Sequence, residues 1–489
     1  YMTPVLILIC VGIYSLLLFF ITWLTSRNAT NSAYFLGNKT SPWYVVAYGM
    51  IGASLSGVTF MSVPGWVGST QFSYLTVVLG YLAGYAVIAL VLLPLYYRLQ
   101  LTSIYTYLEQ RFGQSSYRTG AFFFILSRTI GASFRMFLVV TVLQAFVFDP
   151  LGVPFIATVA GFIILILLYT YEGGIKTIIW TDTLQTTFML LGVILSVILI
   201  SKQLNFSFAE MWNSIQESEY SQVLFFDFND KRFFLKQFVS GAFIAIVMTG
   251  LDQEMMQKNL SCKNIKEAQK NMFTFSFVLV IVNFLFLGLG ALLYIYANKQ
   301  GIAIPEKTDE LFPLIALKYL GPFAGLVFII GLISAAYPSA DGALTSLTTS
   351  FCIDFLAMNK REDWSESRKK NIRYAVHFSF AFLLLLVILL FRAINDQAVV
   401  GKLFTAAGYT YGPLLGLYAF GLFLKRSVKD KWVPIICIAS PIICYYLSEN
   451  SVELFGGYKF GFELLILNGL LTFVGLLAIS GKPLKSQKA

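Results

Sequence analysis

At 489 residues, with 57% hydrophobic and only 12% charged side chains, the chain is too apolar to be a set of soluble domains, in which about 25% of residues are charged. One histidine, His377, and five scattered cysteines without a CxxC pair exclude clustered zinc ligands and a disulfide framework. A net charge of +10 raises nucleic acid as a partner, but the placement of that charge points to membrane topology instead.

Apolar runs long enough to cross ~30 Å of hydrocarbon as helices recur along almost the whole sequence. The reading is an all-α integral membrane protein with about 13 spans: 3–26, 43–67, 71–97, 117–148, 153–171, 177–201, 236–256, 272–297, 321–356, 373–393, 397–424, 432–448 and 459–480. The first is too long and too polar-flanked for a cleaved signal peptide, and it lacks an A-x-A site. The longest connections are 203–235 and 298–320, so the whole of 1–489 reads as one transmembrane domain. Lys and Arg divide unevenly between alternate loops, 23 against nine, with Lys258 and Arg373 counted in the larger set. The positive-inside rule then puts the N-terminus outside and the C-terminus in the cytoplasm of a cell (inner or plasma) membrane.

Ionisable residues inside spans cost at least ~2.5 kcal/mol each and mark a pathway, a pair or a helix end. Among them are Arg128, Arg135, Asp182, Asp252, Glu254, Asp341, Lys402 and Glu463. In the second span Gly52, Gly57 and Pro64, with the hydroxyls of Ser54, Ser56 and Thr59, interrupt the helix. Such a break either lines a cavity or reflects close helix packing. Arg128 and Arg135 lie two turns apart on one face of the fourth span, placed to hold an anion or to neutralise Asp252, Glu254 or Asp341. Asp182, just inside the sixth span, reads as a cation ligand, a proton site or a helix cap. Gly250 breaks the seventh span near Asp252 and Gln253, with Glu254 expected in interfacial water. The ninth span carries AAYPSADGALTSLTT, where Asp341 stands ready for a cation or a buried base. Tyr409, Tyr411 and Phe404, near Gly408 and Gly412, read as a gate or as ordinary aromatic packing. His377 reads as a span-edge residue. No serine–histidine or cysteine–histidine constellation appears, so an enzyme is not expected.

Five stretches together resemble the sodium/solute symporter family, whose members carry sugars, sialate, proline, pantothenate and iodide. They are SAYFLGNKTSPW, GASLSGVTFMSVPG, LTSIYTYLEQRFG, EGGIKTIIWTDTLQ and the small-residue run of the ninth span. The resemblance implies a LeuT-type core of two inverted five-helix repeats, 43–201 and 236–424, with 3–26 as an extra N-terminal helix and two C-terminal helices in 432–480. It implies a sodium-coupled symporter importing a small organic solute, such as a sugar, sugar acid or other carboxylate, by alternating access. No obligatory protein partner and no metal other than Na⁺ (one or two ions) are expected. The main sodium site carries over to Gly52, Leu55, Ala335 and Ser339, with Pro338 in place of one family hydroxyl. A second cation site carries over to Asp182, with Asp341 and Gly342 at the family's hydroxyl positions. Two carboxylates so close need a cation or a proton between them. The solute pocket carries over to Ser54, Ser56, Thr59, Arg135, Asp252 and Gln253, with Gly80 where some sugar and sialate carriers have a polar side chain. The alternatives are a proton-coupled carrier using Asp182 and Asp341, or a sodium-sensing membrane module that does not transport.

Overall fold

The computed structural model describes residues 3–27, 29–171, 173–394 and 399–484, with side chains throughout except at 394 and 399–402. Glu172, the Lys402 side chain, Lys485 and Lys488, all used in the sequence reading, lie outside the described part.

In chain order the principal helices are α1 (Pro4–Thr25), α2 (Trp43–Ser54), α3 (Gly57–Thr70), α4 (Tyr74–Val87), α5 (Gln114–Leu143), α6 (Phe155–Thr170) and α7 (Gly174–Gln203). There follow α8 (Phe234–Ala245), α9 (Gln253–Leu260), α10 (Ile265–Gln300), α11 (Pro322–Ser350), α12 (Glu366–Ile394), α13 (Val399–Phe423), α14 (Val433–Glu449) and α15 (Leu464–Ala478). A short antiparallel ribbon of β1 (Arg426–Val428) and β2 (Ser480–Pro483) ties the end of α13 to the end of α15.

Among the described residues, eight helices are long and apolar enough to cross a membrane, or up to ten if each bent pair is one span. The expected thirteen spans are therefore not all established. The other three correspond to the shorter apolar helices α6 and α15 and to α13.

Both bent pairs form where the sequence interrupts its own helix. Between α2 and α3 the axis turns by 58° at Leu55 and Ser56, and between α8 and α9 by 65° at Leu251 and Asp252. The Leu55 amide closes the last bond of α2 on the Ile51 carbonyl (2.8 Å). The next carbonyl, that of Gly52, then has no donor in helical register. At the second break Asp252 caps α9, its Oδ1 accepting from the amides of Glu254 (2.9 Å) and Met255 (3.3 Å).

α11 is the most enclosed of the long helices, with every residue from 331 to 350 buried. Helices without a hydrophobic drive between them associate through small residues that let backbones meet. Thus α7 meets α11 where Gly192 faces Gly331, and α4 meets α8 at Gly80, where a Cβ would lie 3.0 Å from the Phe238 carbonyl carbon. The position that bears a polar side chain in some carriers is thus filled by backbone here.

Gly80→Leu forces α4 and α8 apart, at a cost of roughly 1–3 kcal/mol for overpacking. It should lower the melting temperature in detergent. Gly288→Leu, at a position with nothing within 4 Å of a new Cβ, should not.

Candidate ion and solute site

The two breaks and the enclosed middle of α11 meet at the centre of the bundle. α2 lies on α7 through Gly49 and Gly52, where the Gly52 amide donates to the Thr186 hydroxyl (3.1 Å) and a Cβ on Gly49 would lie 3.1 Å from the Asp182 Cβ. The Gly52 carbonyl end of α2 is therefore held beside the segment of α7 that carries Asp182. In α11, Pro338 removes the amide that the Ser334 carbonyl would otherwise accept from. One residue on, the Ser339 hydroxyl is buried with no hydrogen-bond partner, an expensive state for a polar atom that has nothing to bind.

Next to this lies a chain of charges closed off from water. The Arg128 guanidinium on α5 lies 2.9 Å from Asp252 Oδ1 and 2.9 Å from Glu254 Oε2. Glu254 Oε1 lies 3.7 Å from the Lys258 ammonium, one turn further along α9, and that ammonium lies 2.8 Å from Asp182 Oδ2. None of the five side chains is more than 6% exposed. Tyr411 Oη donates to Asp252 Oδ2 (2.6 Å) and Tyr169 Oη to Asp341 Oδ2 (2.8 Å). Among the oxygens left without a partner in this region are Asp182 Oδ1 and Asp341 Oδ1, with Gln185 Oε1 beside Asp341.

Several expectations are corrected here. Glu254 is not in interfacial water but buried between two bases. Lys258 is not a cytoplasmic loop residue, because α9 turns it inward to Asp182. Arg373 is buried too, donating to Asn31 (2.8 Å) and lying over the Tyr34 ring. These two leave the uneven loop count at 21 against nine. His377 is fully buried, hydrogen-bonded to Tyr34 (2.9 Å) and Thr170 (3.1 Å). The spacing of Glu254 and Lys258, four apart, puts the two on one helix face, but spacing does not say that this face turns inward.

A cavity of ≈ 80 Å³ opens beside the α2–α3 break. It is lined by Ser54, Ser56 and Thr59 and by both Arg128 and Arg135. Arg128 is committed to its two acids. Arg135 has no carboxylate partner among the described residues, and its Nε is buried without a hydrogen bond. Asp252 and Gln253 do not line this space. Gln253 instead spans the Ile104 amide (3.0 Å) and the Thr102 carbonyl (2.9 Å).

A second cavity of ≈ 300 Å³ lies against the first, bordered by Lys231 and Arg232. Tyr74 and Phe404 face both spaces. Trp66 packs on each of them, with ring centroids 5.9 Å and 6.1 Å away. The aromatic partition is thus Trp66, Tyr74 and Phe404. Tyr411 belongs to the charge chain, and Tyr409 packs on Tyr445 of α14.

Comparison with known proteins bears on the fold and the family. The chain is 24% identical to the sodium/sialic acid symporter SiaT of Proteus mirabilis, over 89% of this chain and 88% of that one. It is 23% identical to the sodium/sialic acid symporter NanT of Aliivibrio fischeri, over 91% and 88%. A solved substrate-bound, outward-open Na⁺-coupled sialic acid symporter superposes with a TM-score of 0.82 at 20% identity, covering 98% of this chain and 99% of that one. That likeness shows a shared fold. Residues 34–430 match the sodium:solute symporter family, and the chain belongs to that family of transporters.

Proposed function

We propose that the protein is a sodium-coupled symporter that carries a small carboxylate-bearing solute, of the sugar-acid kind, by alternating access. The observation that carries this reading is Arg135, a guanidinium without a carboxylate partner among the described residues, facing a hydroxyl-lined cavity at a helix break. A guanidinium in a water-poor site binds a carboxylate through two parallel hydrogen bonds. Ser54, Ser56 and Thr59 supply neutral donors and acceptors beside it, suited to the hydroxyls of a sugar acid. The relatives named for sialic acid support the same class.

The main sodium site in this reading is formed by the carbonyls of Gly52, Leu55 and Ala335 with the Ser339 hydroxyl. It is supported by the unmatched carbonyl at the end of α2 and the unpartnered hydroxyl on α11. A cation there joins the broken helix to α11 and shapes the wall of the solute cavity, so sodium and solute strengthen each other's binding reciprocally. The basic-residue bias of the loops supports a cytoplasmic C-terminus and an outside N-terminus. The cavity beside Lys231 and Arg232, loop residues of the opposite set, is then the outer vestibule. Those two cations draw anions toward it, and Trp66, Tyr74 and Phe404 divide it from the solute.

Proteoliposomes under an inward sodium gradient should accumulate radiolabelled N-acetylneuraminate, competed by other carboxylates and absent in choline. Uptake driven by a pH gradient without sodium would overturn the sodium reading. Arg135→Ala should raise the solute concentration for half-maximal uptake roughly 10- to 150-fold, the equivalent of ~1.5–3 kcal/mol for charge-assisted bonds. In melting experiments, sodium at 100 times its Kd should add ~2.7 kcal/mol of stability. Ser339→Ala should shift that sodium response to concentrations at least about tenfold higher.

A further inference from the structure

We propose that the Lys258 ammonium is a tethered cation that takes the second cation position beside Asp182, so that the protein binds a single sodium ion. This rests on the sodium-symport reading and specifies its stoichiometry.

Three features of the site converge on it. The Lys258 Nζ lies 2.8 Å from Asp182 Oδ2 and 3.7 Å from Glu254 Oε1, with all three side chains 3% exposed or less. An ammonium and a sodium ion carry the same charge, and either can compensate a carboxylate buried in its charged form. Next, Gly342 stands where the resemblance puts a sodium-binding hydroxyl. A Cβ there would lie 2.8 Å from the Glu254 Cδ and 3.1 Å from its Cγ. The space of the lost hydroxyl is therefore filled by the carboxylate that flanks Lys258. Gly342, Glu254 and Lys258 act as one replacement, in which a hydroxyl ligand gives way to an acid and its own internal counter-cation. Finally, Asp341, at the other hydroxyl position, accepts from Tyr169, which leaves it one free oxygen to match the one on Asp182. With Asp182 Oδ2 held by Lys258, the oxygens that remain do not complete a cage for a hard cation, which seeks several oxygen ligands at once; removing Lys258 returns Asp182 Oδ2 to that set.

Electrostatics sets the size of the effect. Two unit positive charges about 4 Å apart, at the effective dielectric of a protein, repel enough to weaken binding of the second roughly a thousandfold. Sodium is therefore kept out of the Asp182 position for as long as Lys258 occupies it. The main site, built from neutral oxygens of α2 and α11, remains available.

Equilibrium binding of radiolabelled sodium to the purified full chain in detergent tests this without knowledge of the solute. The wild type should bind one ion per chain with a Hill coefficient near 1. Lys258→Met frees Asp182 and should raise the count to two, and adding Asp182→Asn should return it to one. Lys258→Met leaves Asp182 without its partner and is at risk of misfolding; in that event the wild-type count decides, together with that of the charge-neutral double variant. Two ions on the wild type, with one lost in the double variant, would overturn the tethered cation and leave sodium symport intact. No sodium bound at any concentration would overturn both.

Discussion

A carboxylate buried in its charged form in a helical bundle within lipid needs a cation against it, and the Asp182–Lys258 pair is the contact around which the centre of this protein is arranged. Asp182 belongs to α7 and Lys258 to α9, and the pair forms only because α9 turns 65° from α8 and runs inward. The turn itself is stabilised by Asp252, which caps α9 while meeting Arg128 and Tyr411. Removing one member of such a pair costs ~3–5 kcal/mol, because the other is left buried and uncompensated. The chain from Arg128 to Asp182 therefore holds α5, α7, α9 and α13 in one register.

The same chain accounts for the different fates of two arginines. Arg128 and Arg135 share a face of α5, seven residues apart, and nothing local distinguishes them. The acids of α9 reach Arg128 and stop there, so Arg135 keeps its hydrogen-bonding capacity at the cavity beside the α2–α3 break. In the proposed symport cycle this separates a positioning cation from a binding one. Close packing sets the remaining boundaries. Glycines let α4 approach α8 and leave room for the Glu254 carboxylate beside α11, and a layer of three aromatic rings divides the smaller cavity from the larger one.

Much of the local architecture was legible in residue order. Gly52, Ser56 and Gly57 in an otherwise apolar span announced the first break, and Gly250 before Asp252 the second. Asp182, Ser339 and Asp341 stood out because hydrocarbon does not tolerate them without a reason. Lys258 was hidden: a lysine after a predicted span reads as cytoplasmic, and only the bend carries it inward. Tyr411 stood out as an aromatic near glycines, yet its hydroxyl is spent on an acid 159 residues away. Trp66 and Tyr74 gave no sequence signal, since aromatic residues are common throughout the chain.

Hydropathy, helix interruptions and the placement of basic residues are properties of neighbouring residues. The sequence by itself therefore determined that this is a polytopic helical membrane protein with broken helices and buried ionisable groups. Which acid meets which base is a property of distance in space: Lys258 pairs across 76 residues and Arg128 across 124. Those pairings decide whether a buried carboxylate is neutralised from within the chain or left for an ion from solution. Only the packed bundle sets them, because electrostatic energy in a low-dielectric interior changes steeply over a few ångströms, a scale that spacing along a chain does not record.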